Sequence, residues 1–256
     1  MAGKAIWKGS ISFGDINLPI KLHAAVKEER IRFHLLHKRD QVKLQQQMVC
    51  AFDKERVPAE EQVKGFELEA GKYIILDQAE LERAEPESSR LVEVHDFTKT
   101  AEISPLYYEH LYYLEPDADG RAYNALVRAM EKLDVSGICT WVMRKRAYLG
   151  ALQSRGNILR LTTLRYADEV IAAGSLELEM LPLTEKELKI GRELISQLTV
   201  PFQPQKFVNE HQKRLQALID RKARGEKIAV LRPKRLKPTS PDRLLAALEA
   251  SLKKVA

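Results

Sequence analysis

The sequence predicts a mixed, mainly β protein, with a β-barrel or β-sandwich core followed by a helical C-terminal extension. The first observation is a strict two-residue alternation of apolar and polar side chains within residues 5–22. The second is that short segments with strand periodicity prevail up to about residue 175. The third is that helical periodicity prevails after that point, so strands and helices are segregated along the chain.

The opening alternation has the form of a β-hairpin. Apolar side chains recur on both sides of Gly14-Asp15, and a two-residue connection of this kind is typical of a tight hairpin turn. The apolar positions are Trp7, Ile11, Phe13, Ile16, Leu18, Ile20 and Leu22, with Gly9 between the first two. Because Pro19 has no N–H to donate to a ladder, we expect the second strand to lie at a sheet edge or to bend.

Further strands are predicted where short β-rich segments occur. They are residues 31–36, 73–76, 91–95, 138–143 and 158–166. One helix interrupts them, since apolar side chains between Tyr123 and Leu133 follow helical spacing. Residues 77–85 predict an acidic helical turn, and residues 38–47 are polar and basic enough for an exposed ribbon or loop.

Three helices are predicted in the C-terminal part. The sequence TEKE at residues 184–187 is a capping box that opens the first of them. Pro201 and Pro204 interrupt the chain, and a second helix runs from about residue 209 to 223. Ser240, followed by Pro241, opens the last helix, because serine caps helix N-termini and proline fits the first helical position.

Length and composition indicate one large core. No apolar segment of the 256 residues approaches the roughly 20 needed to cross a bilayer, and the N-terminus lacks the pattern of a signal peptide. We therefore expect a cytoplasmic protein with no membrane association. Cys50 and Cys139 are too few for a disulfide framework or a cysteine-rich zinc site, so we expect reduced thiols, with Cys139 buried in a strand.

Charge is distributed unevenly along the chain. The formal net charge is +6, but residues 203–256 carry 14 basic and 5 acidic side chains. Residues 55–119 carry 17 acidic and 6 basic side chains. Such polarity is typical of a protein that faces a polyanion on one side and solvent on the other, although many soluble proteins also have solvated basic tails.

No complete catalytic or metal site is evident. The patterns GxxxxGK[ST], GxGxxG, GxSxG and HExxH do not occur. His34 and His37 have a helical metal-ligand spacing, but the predicted strand places them on opposite faces. The carboxylates between Asp77 and Asp96 lack a suitably spaced partner, which favours a solvated acidic face over a nuclease site. Four tyrosines are more typical of sheet or interface packing than of stacking on bases. They are Tyr107, Tyr108, Tyr112 and Tyr113.

Basic side chains form three groups that are candidates for contact with nucleic acid. They are Arg30, Arg32, Lys38, Arg39 and Lys43 near an early strand, Arg144, Lys145 and Arg146 at a strand end, and Lys234, Arg235 and Lys237 in the tail. A strand with cations on one face, followed by a basic turn, suits a phosphate backbone. Ordinary exposed loops are the alternative for the first two groups. None of these positions has the helical arrangement of Asn, Gln and Arg that reads bases in the major groove.

The last helix is short, with about 14 residues, and follows a linker too charged to collapse. Its apolar stripe consists of Leu244, Leu245, Leu248 and Leu252. The stripe either packs back on the core or docks into the groove of a partner, and the charged linker favours docking.

Several segments in register resemble the prokaryotic Ku family, the end-binding proteins of double-strand-break repair. The resemblance begins at residues 7–14 (WKGSISFG) and 16–22 (INLPIKL). It continues through residues 31–37 (IRFHLLH), 64–67 (KGFE), 71–74 (GKYI), 112–116 (YYLEP) and 164–169 (LRYADE). Near the C-terminus, residues 201–207 resemble the start of the family's helical arm, and residues 242–252 (DRLLAALEASL) resemble its ligase-binding helix.

This resemblance implies a Ku-type β-barrel core at residues 1–200 with an inserted β-bridge at roughly 25–65. Residues 201–226 would form a helical arm that embraces the second subunit, and residues 227–256 a basic linker with a ligase-binding helix. It further implies a homodimeric ring that threads onto double-stranded DNA ends and recruits the ATP-dependent end-joining ligase. No cofactor, metal or catalytic activity is implied, and the location is nucleoid-associated.

Two other functions remain open at this stage. One is an enzyme that cleaves abasic ends through a lysine Schiff base, for which Lys145 is the candidate because Arg144 and Arg146 flank it. Such a lysine needs a lowered pKa. The other is a chromatin-like basic protein, which would show no preference for DNA ends.

Overall fold

The computed structural model of the chain describes residues 4–27, 31–118, 120–175 and 184–225. These residues belong to two compact units. The first unit takes residues 4–27 and 34–173, and the second takes residues 31–33, 174–175 and 184–225. In the described part of the chain, no helix is long and apolar enough to cross a membrane.

The first unit is built around a closed β-barrel, which confirms the predicted core. Its strands are β1 (Trp7–Phe13), β2 (Ile16–Ala24), β3 (Lys64–Glu69), β4 (Lys72–Leu76), β5 (Leu91–Lys99), β6 (Tyr108–Pro116), β7 (Val135–Met143), β8 (Arg146–Arg155) and β9 (Ile158–Leu164). Around the barrel the order is β1-β2-β6-β9-β8-β7-β5, and β1 closes it by pairing in parallel with β5. β3 and β4 form a separate two-stranded sheet.

The barrel interior is filled from alternating strand positions, as the opening hairpin predicts. Ile11, Ile20 and Leu22 are completely buried, whereas Ile16, beside the turn, is exposed. Gly9 interrupts the apolar face because the Trp7 ring occupies the space that a Cβ at this position would need. Any larger residue there would displace the indole ring or the Arg90 carbonyl.

Two helices belong to this unit. The short acidic helix α1 (Gln78–Arg83) begins at Asp77, whose side chain accepts a hydrogen bond from the Glu80 amide at 2.7 Å. The longer helix α2 (Gly120–Leu133) contacts β7 and β8. It contributes Tyr123, Leu126, Val127 and Met130 to the buried core, so the predicted amphipathic helix is confirmed.

Pro19 does not mark a sheet edge, because β2 pairs with β1 on one side and β6 on the other. The ladder with β6 begins at the pair Ile20–Pro116, immediately after Pro19 in the chain, so Pro19 itself is not part of it. The Pro19 carbonyl still accepts a hydrogen bond from the Asp117 amide at 3.0 Å. Proline is tolerated inside the barrel because it lies just before this ladder begins.

Two strand predictions need correction. Residues 31–36 form no regular strand. Leu36 makes only an isolated bridge with Lys43, and residues 31–35 belong to no strand ladder. Conversely, the sequence pattern missed β3 and β8. The residues around Gly150 are small or apolar without alternation, because both Ala151 and Leu152 are completely buried although they face opposite sides of the sheet.

The described part of the second unit contains two helices, α3 (Glu185–Leu198) and α4 (Glu210–Ala223). The capping box predicted for α3 is present, because the Glu187 carboxylate accepts from the Thr184 amide at 2.8 Å while the Thr184 hydroxyl accepts from the Glu187 amide. The Thr184 hydroxyl also donates to the Glu187 carboxylate at 2.6 Å, and this bond, together with the one from the Thr184 amide, lowers the pKa of Glu187. Neither helix has a buried residue, and Ile195 is 68% exposed.

Candidate nucleic-acid interface

The three cations predicted at a strand end form a tight hairpin turn. Arg144 and Lys145 connect β7 to β8, and Met143 pairs with Arg146 across them. Both connecting residues adopt left-handed backbone conformations, with φ of 53° and 64°. Such conformations cost residues with a Cβ roughly 1–2 kcal/mol each, and hairpin turns of this kind usually contain Asn-Gly instead. A strained turn that exposes three adjacent cations favours a functional role over an ordinary loop.

Lys145 already has an acidic partner within the chain. Its Nζ lies 2.9 Å from Glu85 Oε2 and 3.2 Å from Glu85 Oε1, where Glu85 follows α1. The hydrogen bond with Glu85 raises the pKa of Lys145 above its ordinary value. A Schiff-base lysine needs the opposite shift, because only the neutral amine attacks a carbonyl. The geometry therefore leaves the lyase hypothesis without support at its candidate residue.

Glu85→Gln is expected to tighten binding to a DNA duplex, because Glu85 competes with phosphate for the Lys145 ammonium. The expected gain is about two- to fivefold, as for an exposed ion pair, with a salt dependence steeper by about one unit of slope. Fluorescence anisotropy of a labelled duplex at several salt concentrations measures both. Glu87→Gln is the matched control, since it removes the same charge from an exposed residue with no ion pair in the described chain. Equal affinities of the two variants would contradict this role for Glu85.

The early basic residues are exposed but are not arranged along a strand. Arg32 lies in the irregular segment after residue 30, whereas Lys38 and Arg39 occupy a turn. The turn is held by Asp40, whose carboxylate accepts hydrogen bonds from the Val42 amide at 3.1 Å and from the His37 ring at 3.0 Å. These two contacts lower the pKa of Asp40. The predicted cationic strand face is thus replaced by a rigid turn that presents two cations.

The structure does not bring all the predicted cations together. Lys43 lies opposite Leu36 in an isolated bridge, close along the chain to Lys38 and Arg39. Among the described residues, no hydrogen bond or ion pair joins this group to Arg144, Lys145 or Arg146. The remaining predicted site residues lie outside the described residues, namely Arg30, Lys234, Arg235 and Lys237 for DNA and Leu244, Leu245, Leu248 and Leu252 for a partner.

The segment of residues 34–63, which we call the bridge segment, has eight large apolar side chains that are at least half exposed, and such clusters are typical of interaction surfaces. The segment is held together by isolated backbone hydrogen bonds. The Leu44 amide donates to the Leu35 carbonyl at 2.9 Å, and the Val57 amide donates to the Met48 carbonyl at 3.0 Å. The side chains that are 50–95% exposed are Leu35, Leu36, Val42, Leu44, Met48, Val49, Phe52 and Val63. This segment lacks a core of its own, so its apolar side chains favour contact with another chain.

Histidines and carboxylates do not form a metal site in the described ranges. No group of three or more metal-ligating side chains occurs among those residues. The His37 ring donates to the Asp40 carboxylate, and His34 has no such neighbour in the described chain. The predicted burial of Cys139 is confirmed, and this burial raises the pKa of its thiol to about 12.

Sequence reasoning missed two cations on the barrel wall. Arg155 ends β8 and Arg160 lies within β9, where the guanidinium of Arg160 lies 5.9 Å from the centre of the Tyr113 ring. The alternation within residues 158–166 could have identified Arg160 as an outward-facing cation. Tyr112 packs against the core, which confirms that packing was the better prediction for this tyrosine.

Comparison with protein families gives one match. A family model described as the Ku70/Ku80 beta-barrel domain matches residues 12–190. This range includes all strands of the barrel except the first residues of β1, together with the bridge segment and the β7–β8 turn.

Curated relatives are similar over nearly the whole chain. A protein named non-homologous end joining protein Ku 2 from Geotalea uraniireducens (strain Rf4) is 64% identical over 256 residues, which is 100% of both chains. Proteins named non-homologous end joining protein Ku are 39% identical over 228 residues in Anaeromyxobacter sp. (strain K) and 35% identical over 252 residues in Archaeoglobus fulgidus. These alignments cover 88% and 96% of this chain, and 77% and 99% of the relatives.

Proposed function

Because the chain belongs to the Ku family, we propose that it binds the ends of double-stranded DNA during non-homologous end joining, as a homodimeric ring. The observation that carries the ring is the bridge segment, whose apolar side chains are exposed in the single chain. Two copies of this segment would bury these side chains against each other. We assign the protein no chemical step, and the Lys145–Glu85 ion pair argues against a lyase.

The same proposal gives each part of the chain a role. Residues 1–200 would contribute the barrel core and the bridge, and residues 201–226 would form an arm that embraces the second subunit. The exposed apolar side chains of this arm, such as Phe202 and Phe207, support that role because their stacked rings lack cover within the described chain. We keep these boundaries as predictions.

Binding within the ring would be independent of sequence. The described candidate cations lie in turns, irregular segments or at a strand end, where phosphates can reach them, and none of them lies on a helix that could enter the major groove. Arg32, Lys38, Arg39 and Lys43 would contact the backbone together with Arg144, Lys145 and Arg146. Affinity should therefore fall steeply with salt, because each neutralised phosphate releases counterions.

Comparison of linear and covalently closed DNA of equal length tests the ring. A closed ring loads only at a free terminus, so we expect the linear duplex to bind roughly tenfold tighter or better at physiological salt. Competition in an electrophoretic mobility assay measures the ratio, and a linear duplex blocked at both ends by bulky protein caps is the control. Equal affinities for all three DNAs would refute threading and would fit a chromatin-like basic protein instead.

We further propose that the C-terminal helix recruits the ATP-dependent end-joining ligase through its leucine stripe. Leu244→Asp or Leu248→Asp should abolish stimulation of ligation, since a carboxylate cannot enter an apolar groove, while DNA binding is unchanged. Ala250→Asp is the matched control, because residue 250 falls on the opposite side of a helical projection. Ligation of a linear plasmid, measured beside DNA affinity, decides the outcome. Loss of both activities together would mean that the helix belongs to the core.

A further inference from the structure

Two cavities open on the wall of the barrel and have several lining residues in common. Neither cavity is lined by Arg144, Lys145 or Arg146 of the β7–β8 turn. Their volumes are about 410 Å³ and 440 Å³. Both are lined by Thr100, Gln153, Arg155 and Arg160, so they adjoin at the β8–β9 hairpin. The proposed function uses none of these residues.

Two polar atoms at this hairpin lack partners. The Nε of Arg160 and the Oγ of Ser154 are shielded from solvent and make no hydrogen bond in the described chain. A buried polar group left without a partner costs about 1–3 kcal/mol, and more when it is charged. An ordered water or an external anion would supply the missing acceptor for this guanidinium.

The strand register places the two arginines close together. Gln153 pairs with Arg160 and Arg155 pairs with Ile158, so Arg155 and Arg160 are diagonal neighbours on one face of the hairpin. Diagonal neighbours have Cα atoms about 7–8 Å apart, within the reach of two guanidinium groups that share one anion.

Acidic residues also line the cavities, but among the described residues none of them forms an ion pair with either arginine. Glu131 and Asp134 line the first cavity, and Glu109 lines the second. Within the described residues, no carboxylate lies within 4.0 Å of either guanidinium. Glu131 instead accepts a long hydrogen bond from the Asn157 amide at 3.5 Å. Both arginines therefore remain available to an external anion.

Neighbouring side chains hold this site in place. The Gln153 amide donates to the Tyr108 hydroxyl at 2.9 Å and to the Ser136 hydroxyl at 3.1 Å. The Arg160 guanidinium is positioned over the Tyr113 ring. Groups that are fixed before binding lose little entropy when a ligand arrives.

We propose that these cavities bind a phosphate group between Arg155 and Arg160. The planar guanidinium matches phosphate oxygens with two parallel N–H donors, and two such groups offset the charge of the anion. The phosphate belongs either to a small free molecule or to the terminal 5′-phosphate of a DNA end. The site is independent of the ring, because phosphate binding needs no second subunit.

Titration with inorganic phosphate tests the site without DNA. Isothermal titration calorimetry should show binding to the wild-type protein that weakens roughly 10- to 100-fold in Arg160→Gln and in Arg155→Gln. Arg128→Gln is the matched control, since Arg128 is an exposed arginine of the same unit that lines neither cavity. Arg155 is exposed, so its variant keeps the test valid if Arg160→Gln fails to fold.

A second arm identifies the source of the phosphate. Duplexes with a 5′-phosphate or a 5′-hydroxyl are compared with wild-type protein and both variants. A preference for the 5′-phosphate that disappears in the variants assigns the site to DNA ends, whereas an effect confined to inorganic phosphate assigns it to a free molecule. The absence of any arginine-dependent effect in both arms overturns the proposal. The inorganic-phosphate arm stays informative even where the protein fails to thread onto DNA.

Discussion

The double variant Leu35→Asp with Leu44→Asp is expected to be monomeric and to bind a linear duplex roughly 10²- to 10³-fold more weakly than the wild-type protein. Leu35 and Leu44 are directly opposite each other in the bridge segment, because Leu36 pairs with Lys43 one step further. Their side chains therefore share a face, and they are 69% and 50% exposed. Nothing within the described first unit covers them.

The size of this effect follows from what the proposed dimer would bury. Full burial of a leucine side chain contributes about 1.5–3 kcal/mol, and a carboxylate buried without a partner costs several kcal/mol. Both substitutions act in both subunits of a symmetric dimer, so their effects multiply. Loss of the dimer opens the ring and removes the contacts of the second subunit with DNA.

The double variant Gln46→Asp with Gln47→Asp is the matched control for charge. It adds the same two carboxylates to exposed polar positions of the same segment. Light scattering after size-exclusion chromatography gives the mass, and anisotropy gives the DNA affinity. A dimeric Leu35→Asp, Leu44→Asp protein, or an equal loss of affinity in the control, would show that the bridge segment does not join two subunits.

The second large effect concerns the stability of the barrel. Tyr123→Phe is expected to lower the free energy of unfolding by roughly 2–4 kcal/mol, since one hydroxyl serves two buried backbone groups. The Tyr123 hydroxyl donates to the Leu114 carbonyl at 2.6 Å and accepts from the Leu159 amide at 2.8 Å. Leu114 and Leu159 are opposite each other on β6 and β9, and both are completely buried. Removal of the hydroxyl leaves a donor and an acceptor unpaired inside the barrel.

Tryptophan fluorescence during urea unfolding measures this loss for the barrel itself. Both tryptophans, Trp7 and Trp141, lie in the first unit. Tyr73→Phe is the control, because Tyr73 is 61% exposed and the same oxygen is removed without a buried partner. A Tyr123→Phe protein as stable as the control would refute the role of this hydroxyl.

Stability at alkaline pH provides an independent check on Tyr123. Burial raises the pKa of its phenol above the ordinary value for tyrosine, despite the opposing hydrogen bond from the Leu159 amide. The unfolded chain therefore loses this proton at a lower pH than the folded chain, and the free energy of unfolding decreases as the pH rises above about 10. The difference between the wild-type protein and Tyr123→Phe should become smaller there. A difference that stays constant up to pH 11 would contradict the burial of this hydroxyl.

Local pattern predicted the elements whose structure depends on near neighbours. The hairpin at Gly14, the apolar face of α2 and the capping box at Thr184 are all present, because periodicity and capping involve residues within a few positions of each other. The same reasoning failed at residues 31–36, whose alternation is that of a strand but which have no barrel neighbour to complete a ladder. It also failed at β8, where both faces are covered and the alternation disappears.

The candidate site was predicted only in part for the same reason. Composition identified the Arg144–Arg146 cations, but it could not show that Lys145 is bound to Glu85, which is 60 residues away. It also gave no sign of the cavities at Arg155 and Arg160, which form where the β8–β9 hairpin meets Thr100 and the end of α2.

By itself the sequence determined a mainly β chain with a barrel core, an amphipathic helix, a polarised charge and a resemblance to a DNA-end-binding family. Only the tertiary structure decided which strands are neighbours, that β1 closes the barrel against β5, and which charges meet. The physical reason is how far apart in the chain the interacting residues are. Periodicity and capping are set by residues adjacent in the chain, whereas barrel closure and the pairing of Lys145 with Glu85 depend on the register of strands far apart in sequence.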